Sequence, residues 1–580
     1  MAGMTTLPAK SIVACILLFS ACQNIYPQAA EKSPNALTQV QIQGLVQKSR
    51  EKIQAMLKRE IYLPGMAVAL VSADGVLWTE GFGYRDKTRR EKVDTNTLFG
   101  LLSASKTLTV TALMVAVQEG LIDLDVPIRT YLPDFHIQTR FADDPMAKIT
   151  IRNLLSMTSG LTHDAPVGNN ADPYTPSYED HILSIGRTWL RFRTGERAEY
   201  SNLGIELAAY ILEKVTHTSF PEYAQKKIFG PLAMTRTTYD LERVRGEENR
   251  ATGNHKIVER VPFENPYVAS GCVYASIADM ARFIQFQLQG GTVQGRTIIK
   301  KPILEQMRKI PFPVKDQVAG YCMGLWVGYY HLGGHDVRWF AHGGGGFGFQ
   351  CQMKWLPELG YGAMVMSNSQ DQYNGNEKLV EDLLQDIVTL TTGKKDLGAS
   401  DWLSRYVQSR SVDSAYLPTG LEGRYNGTNE DFWFLIKDGQ FGYARGPLFV
   451  PLTPVSADEF ASDHYLFRFV RDAEGRAMSV VGPYDGMAWV MGSRKDEAAG
   501  PGKQEWKKYT GTYIRKRYGV CQKFYIVAIE NGWLHFEGSE QDFLLTEHIP
   551  GLFFTPDGEA VDFRSSTPTF RNIKLYRAAE

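Results

Sequence analysis

The sequence predicts a mixed α/β or α+β domain over residues 37–395 followed by an all-β domain over 417–580. Three observations carry this. Helical periodicity alternates with strand-like runs in the first region, and both of its ends contribute strands. A polar stretch, Thr391-Thr392-Gly393-Lys394-Lys395-Asp396, then breaks the pattern. Beyond Leu417 the chain consists of short alternating runs separated by glycine-containing turns.

The elements follow in order. Lys10 precedes an apolar run, Ser11 to Ala21, of the length of a secretory h-region and shorter than the roughly 20 residues of a membrane helix. Residues 1–21 are therefore expected to be an export signal. Ser20-Ala21-Cys22 resembles a bacterial lipoprotein processing site, with Phe19 where such sites usually carry Leu. The expectation is a periplasmic or secreted protein, with a lipid on Cys22 as its anchor to the membrane. Residues 22–36 are polar and read as a tether. From Leu37 to about Arg59 the pattern is an amphipathic helix; Gly65–Val71 and Gly75–Trp78 then form a hairpin. Further helices are expected before Gly120, at Ile205–Leu212, at Met280–Leu288 and at Leu379–Leu390, and strands at Phe349–Trp355 and Tyr361–Ser367. Residues 396–416 read as a linker with a short helix at Asp401–Ser409.

The all-β region repeats itself. Gly423-Arg424-Tyr425 echoes Gly511-Thr512-Tyr513, Asp438-Gly439 echoes Asn531-Gly532, and Leu452-Thr453 before Phe460 echoes Leu545-Thr546 before Phe553. Two copies of about four strands each would close one barrel of roughly eight strands over 417–580.

Composition narrows the function. With 43% hydrophobic and 22% charged residues over 580 positions, the chain has material for packed cores and lacks the signature of disorder. Its 63 Lys+Arg against 64 Asp+Glu provide no excess of cations for a phosphate backbone, so nucleic acid is not an expected partner. The six cysteines include no C-x-x-C pair and no H-E-x-x-H occurs, so no metal or other cofactor is expected. After signal removal Cys272, Cys322, Cys351 and Cys521 read as small buried hydrophobes.

The chemistry begins at Ser103-Ala104-Ser105-Lys106, an S-x-x-K just before an apolar helix. Residues i and i+3 share a helical face, so hydroxyl and ammonium meet; a partly desolvated Lys serves the Ser as general base if neutral, or polarises it if charged. A second copy, Ser49-Arg50-Glu51-Lys52, lies among charges and reads as a solvated helix face. Ser103 instead follows Phe99, Leu101 and Leu102, a buried setting, and Ser105 reads as a helix cap. Tyr200-Ser201-Asn202, followed by a helix, and His342-Gly343-Gly344-Gly345-Gly346, expected to precede a strand, complete the set.

Taken in order, these residues resemble the serine β-lactamase and penicillin-binding-protein superfamily, in outline its class C β-lactamases, D-Ala-D-Ala carboxypeptidases, D-aminopeptidases and esterases. The resemblance covers most of residues 60–370 and includes Leu63-Pro64-Gly65, Gly81-Phe82-Gly83-Tyr84, Leu154 to Leu161 and Pro231-Leu232-Ala233-Met234. It implies a β-lactamase/transpeptidase-like catalytic domain, an antiparallel sheet with helices, and a lipocalin-like barrel behind it. It also implies Ser103 as acyl-forming nucleophile, with Lys106 and Tyr200 sharing base and acid duty. Asn202 would bind the substrate amide or orient Lys106, His342 would take the third-motif position often held by Lys, and Gly344 and Gly345 would line the substrate, the N–H of Gly345 joining that of Ser103 in an oxyanion hole. His-Gly-Gly replaces Lys-Thr-Gly, so the cation and hydroxyl that hold a carboxylate in β-lactamases are missing.

Rival patterns fall short. Gly343-x-Gly345-x-x-Gly348 matches a dinucleotide fingerprint but is followed by a strand-like run where a helix is required, and no G-x-S-x-G occurs. The expected function is an exported serine hydrolase acting on a small peptide or ester, first a peptidase for linear peptides with D- or unusual residues, an inference from domain layout. A carboxylesterase, a D-Ala-D-Ala carboxypeptidase and a non-catalytic binding protein on the same fold are the alternatives. No oligomeric state follows from the sequence.

Overall fold

The structure, a computed structural model, describes residues 36–578 except 170, 172–175, 311–319, 333–335, 397–406, 408–415, 428–430, 446–447, 463–465, 472–474, 476, 485–486, 495–500, 518–519 and 539–540. The export segment, Cys22, nearly all of the tether and nearly all of the helix expected at 401–409 lie outside the described residues.

Helix α1 (Gln39–Arg59) begins where Thr38 accepts from the Gln41 amide and the Gln41 side chain accepts from the Thr38 amide, a reciprocal cap that satisfies two otherwise orphaned donors. Lys58 and Arg59 close it, complementing the negative end of the helix dipole. Strands β1 (Gly65–Ser72) and β2 (Gly75–Gly83) form the expected hairpin. Helices α2 (Ser105–Gln118), α3 (Asn202–Thr216) and α4 (Ile277–Leu288) follow, then strands β3 (Gly320–Tyr321), β4 (Trp326–His331), β5 (Asp336–Gly346), β6 (Phe349–Leu356) and β7 (Tyr361–Ser367), and helix α5 (Tyr373–Thr392).

The seven strands make one antiparallel sheet in the order β2-β1-β7-β6-β5-β4-β3, so the N-terminal hairpin closes onto the last strand. Strand β1 is buried along its whole length because both faces are covered. Its period-2 alternation sends Ala67, Ala69 and Val71 to the core shared with α2 and α4, and Met66, Val68 and Leu70 to the core shared with α1 and α5. Helix α2 is buried from Ser105 to Ala116, with no exposed polar face in that span, as expected of a helix enclosed by its neighbours. Among the described residues no helix is long and apolar enough to cross a membrane.

The C-terminal region corrects the single barrel expected over 417–580. It holds a nine-stranded sheet within 423–494 and, separately, a closed barrel of eight strands within 511–577. The echoed positions mark two whole units, not two halves. Gly423 and Gly511 both take φ 140, and Tyr425 and Tyr513 each donate to the carbonyl four residues earlier, at 3.0 and 2.8 Å. Asp438-Gly439 and Asn531-Gly532 both place two successive residues at positive φ, the hairpin turn whose twist suits the strands it joins. Each unit is filled by its own aromatic cluster, around Phe434 and Phe469 in the first and around Phe536 and Phe570 in the second.

Candidate active site

Phe99 and Gly100 pair with Tyr274 and Ala275, and the Leu101 amide donates to Val273, so the chain reaches Ser103 from a fixed edge. Leu102 then takes φ 49, a left-handed conformation that costs a non-glycine residue about 1–2 kcal/mol. This strained turn carries Ser103 into the start of α2 and sets its amide against β5. A Cβ on Gly344 would lie 2.9 Å from the Ser103 nitrogen and 1.9 Å from the Leu101 carbonyl oxygen, so only glycine permits the approach. Ser105 is not the helix cap expected from the sequence. It is the first residue of α2, and its hydroxyl accepts from the Val273 amide at 3.1 Å, bracing the same edge.

Lys106 is completely buried. Its Nζ lies 3.1 Å from Ser103 Oγ, donates to the Ser270 carbonyl at 2.9 Å, and sits 4.9 Å from the centre of the Tyr200 ring. Burial disfavours the ammonium and lowers the Lys106 pKa from its ordinary 10.5 to about 7, against the pull of Glu206. Glu206 was missed by sequence reasoning. It is fully buried on α3 and accepts from the amides of Ala269 and Ser270 and from the Ser270 hydroxyl, so it fixes the segment that holds Lys106. The readable signal was a carboxylate inside the apolar run Leu203 to Leu212, where an unpaired charge is not tolerated.

Tyr200 is half-buried in an aromatic wall. His163 stacks on it with centroids 5.8 Å apart, Tyr321 meets it edge-on at 5.9 Å, and Tyr321 in turn meets the His342 ring at 5.9 Å. His163 and Tyr321 carried no motif signal. His342 donates from Nδ1 to the Gly343 carbonyl at 2.6 Å and has Nε2 3.4 Å from the Tyr321 hydroxyl. Burial and the neighbouring Lys106 push its pKa down to about 3, so the ring is neutral and no cation occupies the third-motif position. The Asn202 amide reaches His163 Nε2 at 3.5 Å, while the carbonyl that accepts from Lys106 is that of Ser270.

Residues His342 to Gly346 pair with β6 in the register His342↔Met353 to Gly346↔Phe349. The pairing of β4 with β5 ends at Ala341. Past that point the other edge of β5 meets no strand among the described residues, and Gly345 is exposed there. An extended substrate backbone can pair along this edge. Arg517, from the C-terminal barrel, brings Nη2 to 3.6 Å from where a Gly346 Cβ would stand.

The Beta-lactamase family model matches residues 50–385. The chain belongs to the Beta-lactamase family. Relatives include Protein flp of Staphylococcus aureus (strain COL), 24% identical over 352 residues, covering 59% of this chain and 68% of that protein. Unguisins hydrolase ungD of Aspergillus violaceofuscus is 24% identical over 400 residues, covering 62% of this chain and 68% of its own length. Among solved structures, the octameric penicillin-binding protein homologue from Pyrococcus abyssi superposes with TM-score 0.52 at 23% identity over 77% of this chain and 98% of that one. SurE superposes with TM-score 0.53 at 20% identity over 78% and 99%. The two solved structures share the fold of this chain.

Within this family fold, the other nucleophilic side chains stand apart from the site's chemistry. Cys272, Cys322 and Cys351 are buried free thiols, as expected. Cys351 donates to the Leu101 carbonyl at 3.2 Å beneath the Ser103 turn, and burial pushes its pKa up to about 12. Among the described residues no group of His, Cys, Asp and Glu is placed to hold a metal ion.

Proposed function

We propose that this member of a serine hydrolase family cleaves peptide amide bonds through an acyl-enzyme on Ser103. The observation that carries the reading is Lys106, fully buried, with its amine 3.1 Å from Ser103 Oγ and its pKa lowered to about 7, a base poised for neutral pH. Neutral Lys106 takes the Ser103 proton as Oγ bonds to the substrate carbonyl carbon. The oxygen that gains charge sits between the amides of Ser103 and Gly345, and the glycine at 344 lets the Ser103 turn approach the strand of Gly345. Lys106, with Tyr200 beside it, returns the proton to the leaving amine as the C–N bond breaks. Water then enters, and the same base activates it to release the acid and regenerate Ser103.

The open edge of β5 supports an extended peptide as substrate, in keeping with linear peptides containing D- or unusual residues. A carboxylesterase is the second reading. It is favoured by the neutral His342, since a site without a fixed third-motif cation makes no demand for an anionic substrate. The test is turnover of p-nitrophenyl esters, D- and L-amino-acid anilides and linear peptides by wild type and Ser103→Ala, with intact-mass detection of the acyl-enzyme. A Ser103→Ala protein that retains full activity ends the proposal. Export, with lipid on Cys22, is proposed from the sequence alone; loss of membrane association and of palmitate labelling in Cys22→Ala is the expected result.

A further inference from the structure

Both chain neighbours of Tyr200 are tied, each through one intermediate residue, to carboxylates two positions apart on the C-terminal barrel. On one side, Glu199 pairs with Arg191 at 3.3 Å, and Arg191 pairs with Asp557 at 2.9 Å and Glu559 at 3.0 Å. On the other, Ser201 donates to the Thr162 carbonyl at 2.7 Å, and the Thr162 hydroxyl donates to Glu559 at 2.7 Å. A third tie runs through the residue stacked on Tyr200: His163 pairs with Asp164 at 3.1 Å, and the Asp164 carbonyl accepts from Asn572 of the barrel at 2.8 Å.

These contacts are built, not incidental. Arg191, Glu199, Asp557 and Glu559 are all buried, and Arg197, mostly buried, and Arg571, partly exposed, complete the group, so three guanidinium groups face three carboxylates. Buried charges persist only when paired in this way. The backbone closes in as well. Gly558 takes φ 86, and a Cβ there would lie 2.0 Å from the Arg191 carbonyl oxygen, which seats the barrel turn directly on the Arg191 backbone. Arg197 donates to the Asp557 carbonyl at 2.7 Å, and Arg140 lies 4.3 Å over the Phe554 ring of the barrel.

We infer that the C-terminal barrel is a working part of the active site: through Glu559–Thr162, Asp557–Arg191 and Asn572–Asp164 it positions Tyr200 against Lys106 and Ser103. The inference rests on the serine hydrolase reading. None of these residues touches the reacting atoms; they act through the backbone on either side of Tyr200 and through the ring stacked on it. The consequence is that the Ser103 chemistry depends on a domain outside the family's matched residues 50–385.

The test measures, in the full chain, the rate at which a fluorophosphonate probe labels Ser103 between pH 5 and 9, alongside the melting temperature. Thr162→Val removes one hydroxyl and leaves Glu559 its two arginines; Asn572→Ala removes one amide. The expected result for the double variant is a labelling rate at least tenfold lower and a displaced pH midpoint in a protein that still melts cooperatively, with Thr162→Ser restoring rate and midpoint. Wild-type rate and pH midpoint in the double variant would overturn the inference. So would a lower rate with an unmoved midpoint and no rescue by Ser, the mark of general loosening. If wild type is not labelled on Ser103, the hydrolase reading itself fails and this inference with it.

Discussion

The chain carries the Ser-x-x-Lys pattern twice, and the two copies differ in where the lysine ends. On α1, Ser49 is buried against the sheet, not solvated as its charged neighbours suggested, but Lys52 leaves that face and pairs with Asp382 at 2.8 Å with over a third of its side chain in water. At the start of α2, Ser103 in the preceding turn is half-buried and Lys106 is the enclosed partner, in hydrogen-bond contact with Ser103 and the Ser270 carbonyl. The pattern alone therefore specifies little. Burial without a directly paired carboxylate lowers the Lys106 pKa to about 7, whereas Lys52 is paired with Asp382 and partly in water.

The contrast is broken most directly at the serines. Ser103→Ala is expected to lower kcat/KM by a factor on the order of 10⁴ or more, as loss of a catalytic nucleophile does, while Ser49→Ala leaves it unchanged. Parallel assays with the anilide or ester that turns over fastest, and intact mass after fluorophosphonate treatment, decide it; a label on Ser49 would reverse the assignment. Gly344→Ala comes next. The new methyl overlaps the Leu101 carbonyl and must push the Ser103 turn from β5, so a loss of 10²-fold or more in kcat is expected, the scale of an oxyanion donor removed.

The lysines then sharpen the comparison through pH. Activity in wild type should rise through about pH 7 as Lys106 loses its proton, and Lys106→Arg should lose about 10²- to 10⁴-fold together with that limb. Stability must move in the same direction. Between the native value near 7 and the ordinary 10.5, the unfolded chain holds the proton more tightly, so native stability rises with pH across that window. Denaturant melts at pH 6 and pH 10 should show Lys106→Met gaining on wild type at the lower pH by more than about 1.4 kcal/mol, the worth of one pKa unit. Equal differences at both pH values would mean Lys106 keeps its charge on burial.

How much of this was legible depended on whether the signal was local. The hairpin at Gly65 to Gly83, the helix after Ser103 and the paired strands at 349–367 follow from periodicity and turn residues, which act over a few positions. Ser103, Lys106, Tyr200 and His342 were readable because three short motifs occur in a fixed order. His163 and Tyr321 were not, and Glu206 was legible only as a carboxylate in an apolar run without its partner, since each meets the site by packing between segments distant in sequence. The repeat was detected but its unit was misjudged, because matched positions give the period and not the number of strands inside it. The barrel's hold on Tyr200 was invisible for the same reason as the partner of Glu206: Asp557 and Glu559 look like ordinary turn residues until Arg191 is seen against them.

His342→Gln should cost less than tenfold in kcat/KM and leave the profile between pH 5 and 8 in place, because a ring already neutral there has no proton to contribute. A new limb near pH 6 in wild type that disappears in the variant would show that the ring titrates.

The smallest effect belongs to the other lysine. Lys52→Met removes an ion pair that is largely at the surface, and such pairs contribute about 0–1 kcal/mol. Asp382 keeps a second partner, Lys378 at 3.1 Å, which limits the loss further. The sign is fixed by Asp382, whose pKa is held below its ordinary 3.8 by hydrogen bonds from Lys52 and Lys378 in opposition to its partial burial. Stability from that depression is present above the ordinary carboxylate range and vanishes as pH falls through the depressed value. Urea melts of Lys52→Met should therefore show a deficit of at most about 1 kcal/mol at pH 7 that shrinks in 1 M salt and in acid, with kcat/KM unchanged. An activity loss in Lys52→Met without a loss of stability would mean that the surface copy of the motif takes part in the chemistry after all.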